Sequence, residues 1–159
     1  MDKALLLGEE EKVLEVLEFT AGGNSYGIDI SDIREILPYD TIPTIIPNSH
    51  PYIEGFTMPR DFLIPIVNIA KSLHLEEVKE SDMGMLIVTS INNLNIAFHV
   101  DNVIEMHRTT TINVTKPGRK LTTPVKAAVA GILNDGTGKI EILEFRNIIL
   151  DINPKVELG

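Results

Sequence analysis

Apolar and polar residues alternate from Val13 to Thr20 and again from Ser25 to Ile30, with Ala21-Gly22-Gly23-Asn24 between the two runs. Period-two alternation places one set of side chains on one face of a strand, and the Gly-Gly-Asn turn supplies the positive-φ positions of a hairpin. Ile30, Ile33, Ile36 and Leu37 then fall at helical spacing, which predicts a helical turn or two stopped by Pro38. Pro43, Pro47, Pro51 and Pro59 make Thr41 to Asp61 a wandering connection with short extended pieces. Phe62 to Ile69 predicts a buried strand leading into a short helix around Ala70-Lys71-Ser72-Leu73. Met83 to Ile91 opens a second series of strands, turned at Asn92-Asn93, and Pro117 to Pro124 forms a long loop. Asn134-Asp135-Gly136-Thr137-Gly138 is a strong hairpin turn, Arg146 to Leu150 predict a closing helix, and Pro154 marks a tail.

The second series repeats the first. Tyr26-Gly27-Ile28-Asp29-Ile30-Ser31-Asp32-Ile33-Arg34-Glu35-Ile36 returns as Ile96-Ala97-Phe98-His99-Val100-Asp101-Asn102-Val103-Ile104-Glu105-Met106. Ile53-Glu54-Gly55-Phe56 through Ile69 matches Val129-Ala130-Gly131-Ile132 through Phe145. The match rests on residue class, and it predicts two small, similar barrels with a seam between them where a partner could dock. The fold class is therefore all-β with short helices. Residues 1–12 form a charged lead-in with a short helix, 13–152 the domain, and 153–159 a tail. The halves run roughly 13–78 and 83–152, divided at the polar run Glu76 to Asp82, with exchange of strands between them left open.

Composition narrows the function. The chain has 159 residues, 43% of them hydrophobic, enough for a folded interior. Its longest apolar runs are too short to cross a bilayer, and the N-terminus lacks the pattern of a secretory signal. Fourteen basic residues against 23 acidic ones give a net charge of −9, with no Lys/Arg cluster. That balance argues against nucleic acid and against anionic lipid, and leaves protein partners. The absence of cysteine removes disulfide and thiolate chemistry and suits the cytosol.

No catalytic constellation is evident. His50, His74, His99 and His107 show no i+3 or i+4 pairing on a helix, so neither a metal nor a cofactor is expected. His99 reads as a half-exposed strand histidine with Phe98 and Val100 facing the other side. Asp135-Gly136-Thr137-Gly138 has the residues of an aspartic-protease motif in the wrong order, and a turn explains it. Glu35 stands out among isoleucines, and Arg60 in the apolar passage Phe56-Thr57-Met58-Pro59-Arg60-Asp61-Phe62. Asp32-x-x-Glu35 and Asn102-x-x-Glu105 resemble capping boxes, which competes with a partner-facing role for Glu35. Arg60 is either a solvated turn residue or the donor of a charge-assisted hydrogen bond to Glu35. Gly136 takes its place in the second half.

Tyr26-Gly27-Ile28-Asp29-Ile30-x-x-Ile33-x-Glu35-Ile36, Pro47-Asn48, Tyr52-Ile53-x-Gly55, Arg60 and Leu63-Ile64-Pro65-Ile66-Val67 together resemble the CheW family of bacterial chemotaxis coupling proteins. The likeness runs from about Lys12 to Ile152. Phe98-His99-Val100, Met106-His107-Arg108 and Lys116-Pro117 look like the CheV branch, which implies a receiver domain beyond Gly159 or a shorter relative. The resemblance implies two five-stranded, SH3-like β-barrels. It also implies a cytoplasmic, non-catalytic adaptor that joins the helical hairpin tips of chemoreceptors to the regulatory domain of the histidine kinase CheA in membrane receptor arrays. In such proteins the receptor hairpin lies in an apolar groove between the barrels. Carried over, Ile30, Ile33 and Ile36 would supply groove or core contacts from the first half, and Phe98, Val100 and Val103 from the second. Glu35 and Arg60 match the family's acidic and basic pair, while Asp61 departs from the glycine usual after the arginine. A plain CheW-type adaptor is the nearest alternative. A small-ligand β-barrel sensor is more distant, because it would need a closed polar-lined pocket.

Overall fold

The computed structural model of the chain describes residues 11–76, 84–134, 136 and 138–156. The lead-in at 1–10, most of the run assigned as the boundary between halves, Asp135, Thr137 and the end of the tail lie outside the described residues. Strands β1 (Val13–Ala21) and β2 (Asn24–Asp29) form the first hairpin, with Gly22 and Gly23 at φ 58° and 81°. A 3-10 turn, Ile30–Asp32, leads into β3 (Ile33–Pro38). β4 (Ile53–Thr57), β5 (Ile64–Asn68) and the short helix α1 (Ile69–Ser72) complete the first half. The second half comprises β6 (Met85–Ile91), β7 (Leu94–Val100), β8 (Asn102–Thr110), a 3-10 turn at Thr111–Asn113 and β9 (Val114–Thr115). It closes with a further 3-10 turn at Lys126–Ala128, then β10 (Val129–Asn134), β11 (Lys139–Leu143) and helix α2 (Phe145–Ile152).

The strands form two sheets. One runs β8-β1-β2-β11-β10-β9 and the other β3-β6-β7-β5-β4. Each is a five-path barrel. β9 continues β8 past its 3-10 turn, so one stretch of chain pairs with β1 at one end and with β10 at the other. In the second barrel β3 pairs with β6, and Thr44 farther along the same path bridges Phe56 of β4. Both barrels contain one parallel pair, β2 with β11 and β7 with β5. These are the two SH3-like barrels expected, but neither half of the chain closes on itself. Hairpin β1–β2 sits among strands of the second half, and hairpin β6–β7 among strands of the first. The repeat therefore folds as an exchange of equivalent hairpins, and strand order is the same in both barrels.

Each small barrel has its own interior. Leu14, Val16, Leu133, Ile140 and Ile142 fill the barrel that holds β1; Tyr39, Ile64, Ile66, Leu86, Val88 and Ala97 fill the one that holds β6. The repeat's small residue is explained here. A Cβ on Gly27 would meet Val16 Cγ1 at 2.5 Å, and Ala97 occupies the equivalent fully buried site. The largest core lies between the barrels and includes Phe19, Tyr26, Ile28, Ile69, Ile87, Phe98 and Phe145. The rings of Phe98 and Phe145 are 4.0 Å apart, and Phe19 meets Phe145 edge-on at 6.2 Å. The seam is thus solid at its centre.

Three sequence expectations change. The isoleucines of Ile30 to Leu37 lie on a turn and a strand, because Asp29 accepts a hydrogen bond from the Ser31 amide and closes a single 3-10 turn before β3 pairs with β6. Asp32-x-x-Glu35 and Asn102-x-x-Glu105 are accordingly not capping boxes, since Glu35 and Glu105 are strand residues. Phe62 and Leu63 are exposed, and the buried strand begins at Ile64.

His99 is tied into a polar cluster. Its Nδ1 lies 2.7 Å from Glu54 Oε1, and Asn68 Nδ2 donates to Glu54 Oε2 at 2.9 Å. Tyr39 packs edge-on against the imidazole at 4.7 Å, and burial, to which the charge of the nearby Glu54 carboxylate adds, raises the phenol's pKa. Burial pushes the Glu54 carboxyl up, but His99, Asn68 and Tyr39 together outweigh it and hold it below the usual carboxylate range. A group lowered in this way adds stability above its ordinary pKa of 4.5 and loses it as pH falls through the lower folded value. Glu54→Gln is therefore expected to be less stable than the wild type at pH 7, with the gap closing below about pH 4.5. Denaturant titrations at stepped pH measure that gap, and a constant gap would contradict it. Phe98→Ala should cost about 3–5 kcal/mol through the cavity left in the shared core, read from the shift in denaturation midpoint.

Candidate partner-binding surface

Edge strand β3 is irregular, and the irregularity arranges the candidate site. Ile33 opposes Thr89, Glu35 opposes Val88 and Ile36 opposes Ile87, so Arg34 is the extra residue of a β-bulge. Directly opposed residues of an antiparallel pair share a face. Val88 points into the barrel interior, and Ile87 points into the shared core. The bulge therefore puts Ile33 and Ile36, three residues apart, on the face toward the seam, and turns Glu35 to the barrel side. This is the physical origin of the helical spacing in the sequence.

β8 does the same. Phe19 opposes Val103, Glu18 opposes Glu105 and Leu17 opposes Met106, leaving Ile104 as the bulged residue. Val103 and Met106 take the places of Ile33 and Ile36, and Glu105 that of Glu35. Each barrel thus offers one apolar pair, a half-buried member against the shared core (Ile33, Val103) and an exposed member farther out (Ile36, Met106).

Glu35 meets the residue expected of it. Arg60 Nη2 donates to Glu35 Oε2 at 2.9 Å, with the arginine side chain 65% exposed and the glutamate 19%. Hydrogen bonding to Glu35, reinforced by its charge, raises the guanidinium pKa. Beside the pair, Arg34 Nη1 donates to Asn95 Oδ1 at 3.4 Å, and Pro59, Phe62 and Ile64 complete the wall of a shallow recess. The arrangement can fix a loop and present charge at a rim. It contains no paired acid and base facing a cleft.

The other candidates divide. Ile30 is half-buried against the shared core at the start of its 3-10 turn. Phe98 and Val100 are corrections. Both are fully buried, because β7 lies between β6 and β5 and their side chains enter the shared core, leaving a partner nothing to touch. Sequence reading missed Met106, although the repeat aligned it with Ile36. It also missed Arg146, which donates through Nη1 and Nη2 to Asp32 Oδ2 and Oδ1 at 2.9 and 3.0 Å and through Nη1 to Glu144 Oε1 at 3.2 Å. This fork pins the turn bearing Ile30 to the start of α2, and the hydrogen bonds to Asp32 raise the arginine's pKa. The two partners are 114 residues apart, so no local spacing could have joined them.

Exposed apolar side chains also gather on the loops around β4, where Ile42, Ile45, Ile46, Met58, Phe62 and Leu63 all reach solvent. Among the described residues no helix is long and apolar enough to cross a membrane.

Known proteins resemble this chain. Chemotaxis protein CheW of Treponema pallidum is 22% identical over 142 residues, covering 87% of this chain and 83% of that protein. Chemotaxis protein CheV3 of Helicobacter pylori is 30% identical over 87 residues, covering 52% of this chain and 27% of that protein. The crystal structure of the scaffolding protein TtCheW from Thermoanaerobacter tengcongensis matches with a TM-score of 0.80 at 24% identity, covering 92% of this chain and 99% of that one, which shows a common fold. The family model for the CheW-like domain matches residues 15–153, a span that takes in both barrels and the core they share. The chain belongs to the CheW-like domain family.

Proposed function

We propose that this domain is a non-catalytic chemotaxis adaptor that joins the helical tips of chemoreceptors to the histidine kinase CheA. The observation that carries the reading is the bulged edge strand β3, which offers Ile33 and Ile36 on one face and the Glu35–Arg60 pair on the other. A receptor helix docking there gains affinity from a few apolar anchors, while the charged pair at the rim sets register. Ile30 and Val103 extend the apolar margin, and Met106 supplies the matching exposed anchor on the other barrel. The exposed apolar loops around β4, which reach the Glu35–Arg60 recess through Phe62, extend this surface with contacts suited to the kinase. Contacts to more than one partner let weak interactions accumulate in an array of receptor, adaptor and kinase. Its place of action is the cytoplasmic side of the membrane, held there by protein contacts.

Similarity to proteins named CheW, among them that of Treponema pallidum, supports a plain CheW-type adaptor. The CheV-type reading rests on Phe98-His99-Val100, Met106-His107-Arg108 and Lys116-Pro117, and the Helicobacter pylori match, over 52% of this chain and 27% of that protein, is consistent with it. A receiver domain encoded beyond Gly159 would decide for the latter.

Ile36→Glu tests the surface, because the side chain is already exposed and the fold should survive. Co-sedimentation with receptor fragments and kinase should fall at least tenfold with circular dichroism unchanged; undiminished co-sedimentation would remove β3 from the interface. Ile33→Glu should both weaken co-sedimentation and lower the melting temperature, since Ile33 also packs on the core. For the charged pair, Glu35→Arg and Arg60→Glu should each weaken assembly, and the double reversal should recover much of the loss. Independent, additive effects in that cycle would mean the pair does not act as a unit.

A further inference from the structure

The two barrels treat one equivalent glutamate differently. In the barrel built on β6, Glu35 is answered by a cation, the Arg60 guanidinium at 2.9 Å. In the barrel built on β1, the corresponding Glu105 directly opposes a second carboxylate, Glu18, and Gly136 stands where the arginine would be. Like charges opposed across an antiparallel pair are destabilising, and the matching residue in the other barrel is the neutral Val88. Something positive is needed at this position, and His107 is placed beside it. Its Nε2 lies 2.8 Å from Glu18 Oε1 and 3.6 Å from Glu105 Oε1.

We propose that Glu18, Glu105 and His107 form a binding site for a divalent transition-metal cation of the zinc class, which takes the electrostatic place of the missing arginine. One imidazole and two carboxylates are a donor set suited to such an ion and poorly suited to magnesium or calcium, which take oxygen ligands. Donor atoms around a tetrahedral zinc with bonds of about 2.0–2.1 Å lie roughly 3.3 Å apart. The two separations from His107 bracket that value, and all three donor atoms fall within 4.8 Å of one another. Glu18 and His107 are each 16% exposed and fixed on neighbouring strands, whereas Glu105 is 65% exposed and can swing inward to close the set. Glu105 and His107 are two residues apart on β8 and share a face, and the register of β8 against β1 makes it the face of Glu18. A recess lined by His107, Arg108, Thr109, Asn113 and Asn134 opens beside the imidazole. Arg108 lies 3.9 Å from Glu15, a carboxylate outside this cluster.

The test is calorimetric titration of the whole chain, stripped of metal with a chelator, with zinc chloride alone. One saturable site per chain is expected, and cobalt(II) in its place should give visible ligand-field bands of a four-coordinate centre. His107→Ala should abolish the site, and Glu18→Gln, which keeps the size of the side chain, should weaken it at least tenfold. Arg60→Gln, in the other barrel, should leave zinc binding unchanged. Excess magnesium should not compete. The proposal is overturned if no saturable binding occurs up to about 1 mM zinc, or if both His107→Ala and Glu18→Gln bind as the wild type does. Should His107→Ala fail to fold, Glu18→Gln and the cobalt spectrum still decide the question.

Discussion

Phe98 packs on Phe145, and Phe19 meets the same ring edge-on, with the three side chains coming from β7, α2 and β1. Those elements belong to both barrels and to both halves of the sequence. Every other feature of the molecule depends on this shared apolar contact, because each barrel is completed by a hairpin lent from the opposite half. A barrel with only its own half of the chain would lack two adjacent strands and leave their neighbours unpaired. The exchange turns two small units, each with a modest interior, into one body with a core large enough to hold them together.

The edge strands inherit their geometry from the same arrangement. β3 and β8 are the strands that follow the exchanged hairpins, and each carries one bulge near its start. A bulge shifts the facing of the residues beyond it, so an apolar pair three residues apart reaches the seam side while the intervening glutamate turns to the barrel. That single device separates greasy contact from charge on one short strand. It also interrupts pairing along an exposed edge, which discourages unspecific strand addition.

The polar clusters follow a common logic of answered charge. Arg60 answers Glu35, Arg146 answers Asp32, and Glu54 is held by His99, Asn68 and Tyr39. The exposed Arg60 pair has little leverage on stability and more on orientation, because water screens it. The Arg146 fork is less exposed and bidentate, and it fixes the turn that leads from one barrel to the other. Against this background, two opposed glutamates with one histidine are the departure.

The alternation of residues determined the strands of the first hairpin, the Gly-Gly and Asn-Asn turns determined where hairpins close, and the repeat determined that two similar barrels would form. It also marked Glu35 and Arg60, since two unlike residues in apolar surroundings stand out in any linear reading. Facing could not be read in the same way. Ile30, Ile33 and Ile36 looked helical because one inserted residue in a strand mimics helical spacing, and only the register against β6 tells the two apart. Phe98 and Val100 looked like surface candidates until β7 was placed between two other strands. Which hairpin completes which barrel, and whether Asp32 meets Arg146, depend on contacts between residues far apart in the chain. Local pattern carries no information about such pairings, so they were decided by packing alone.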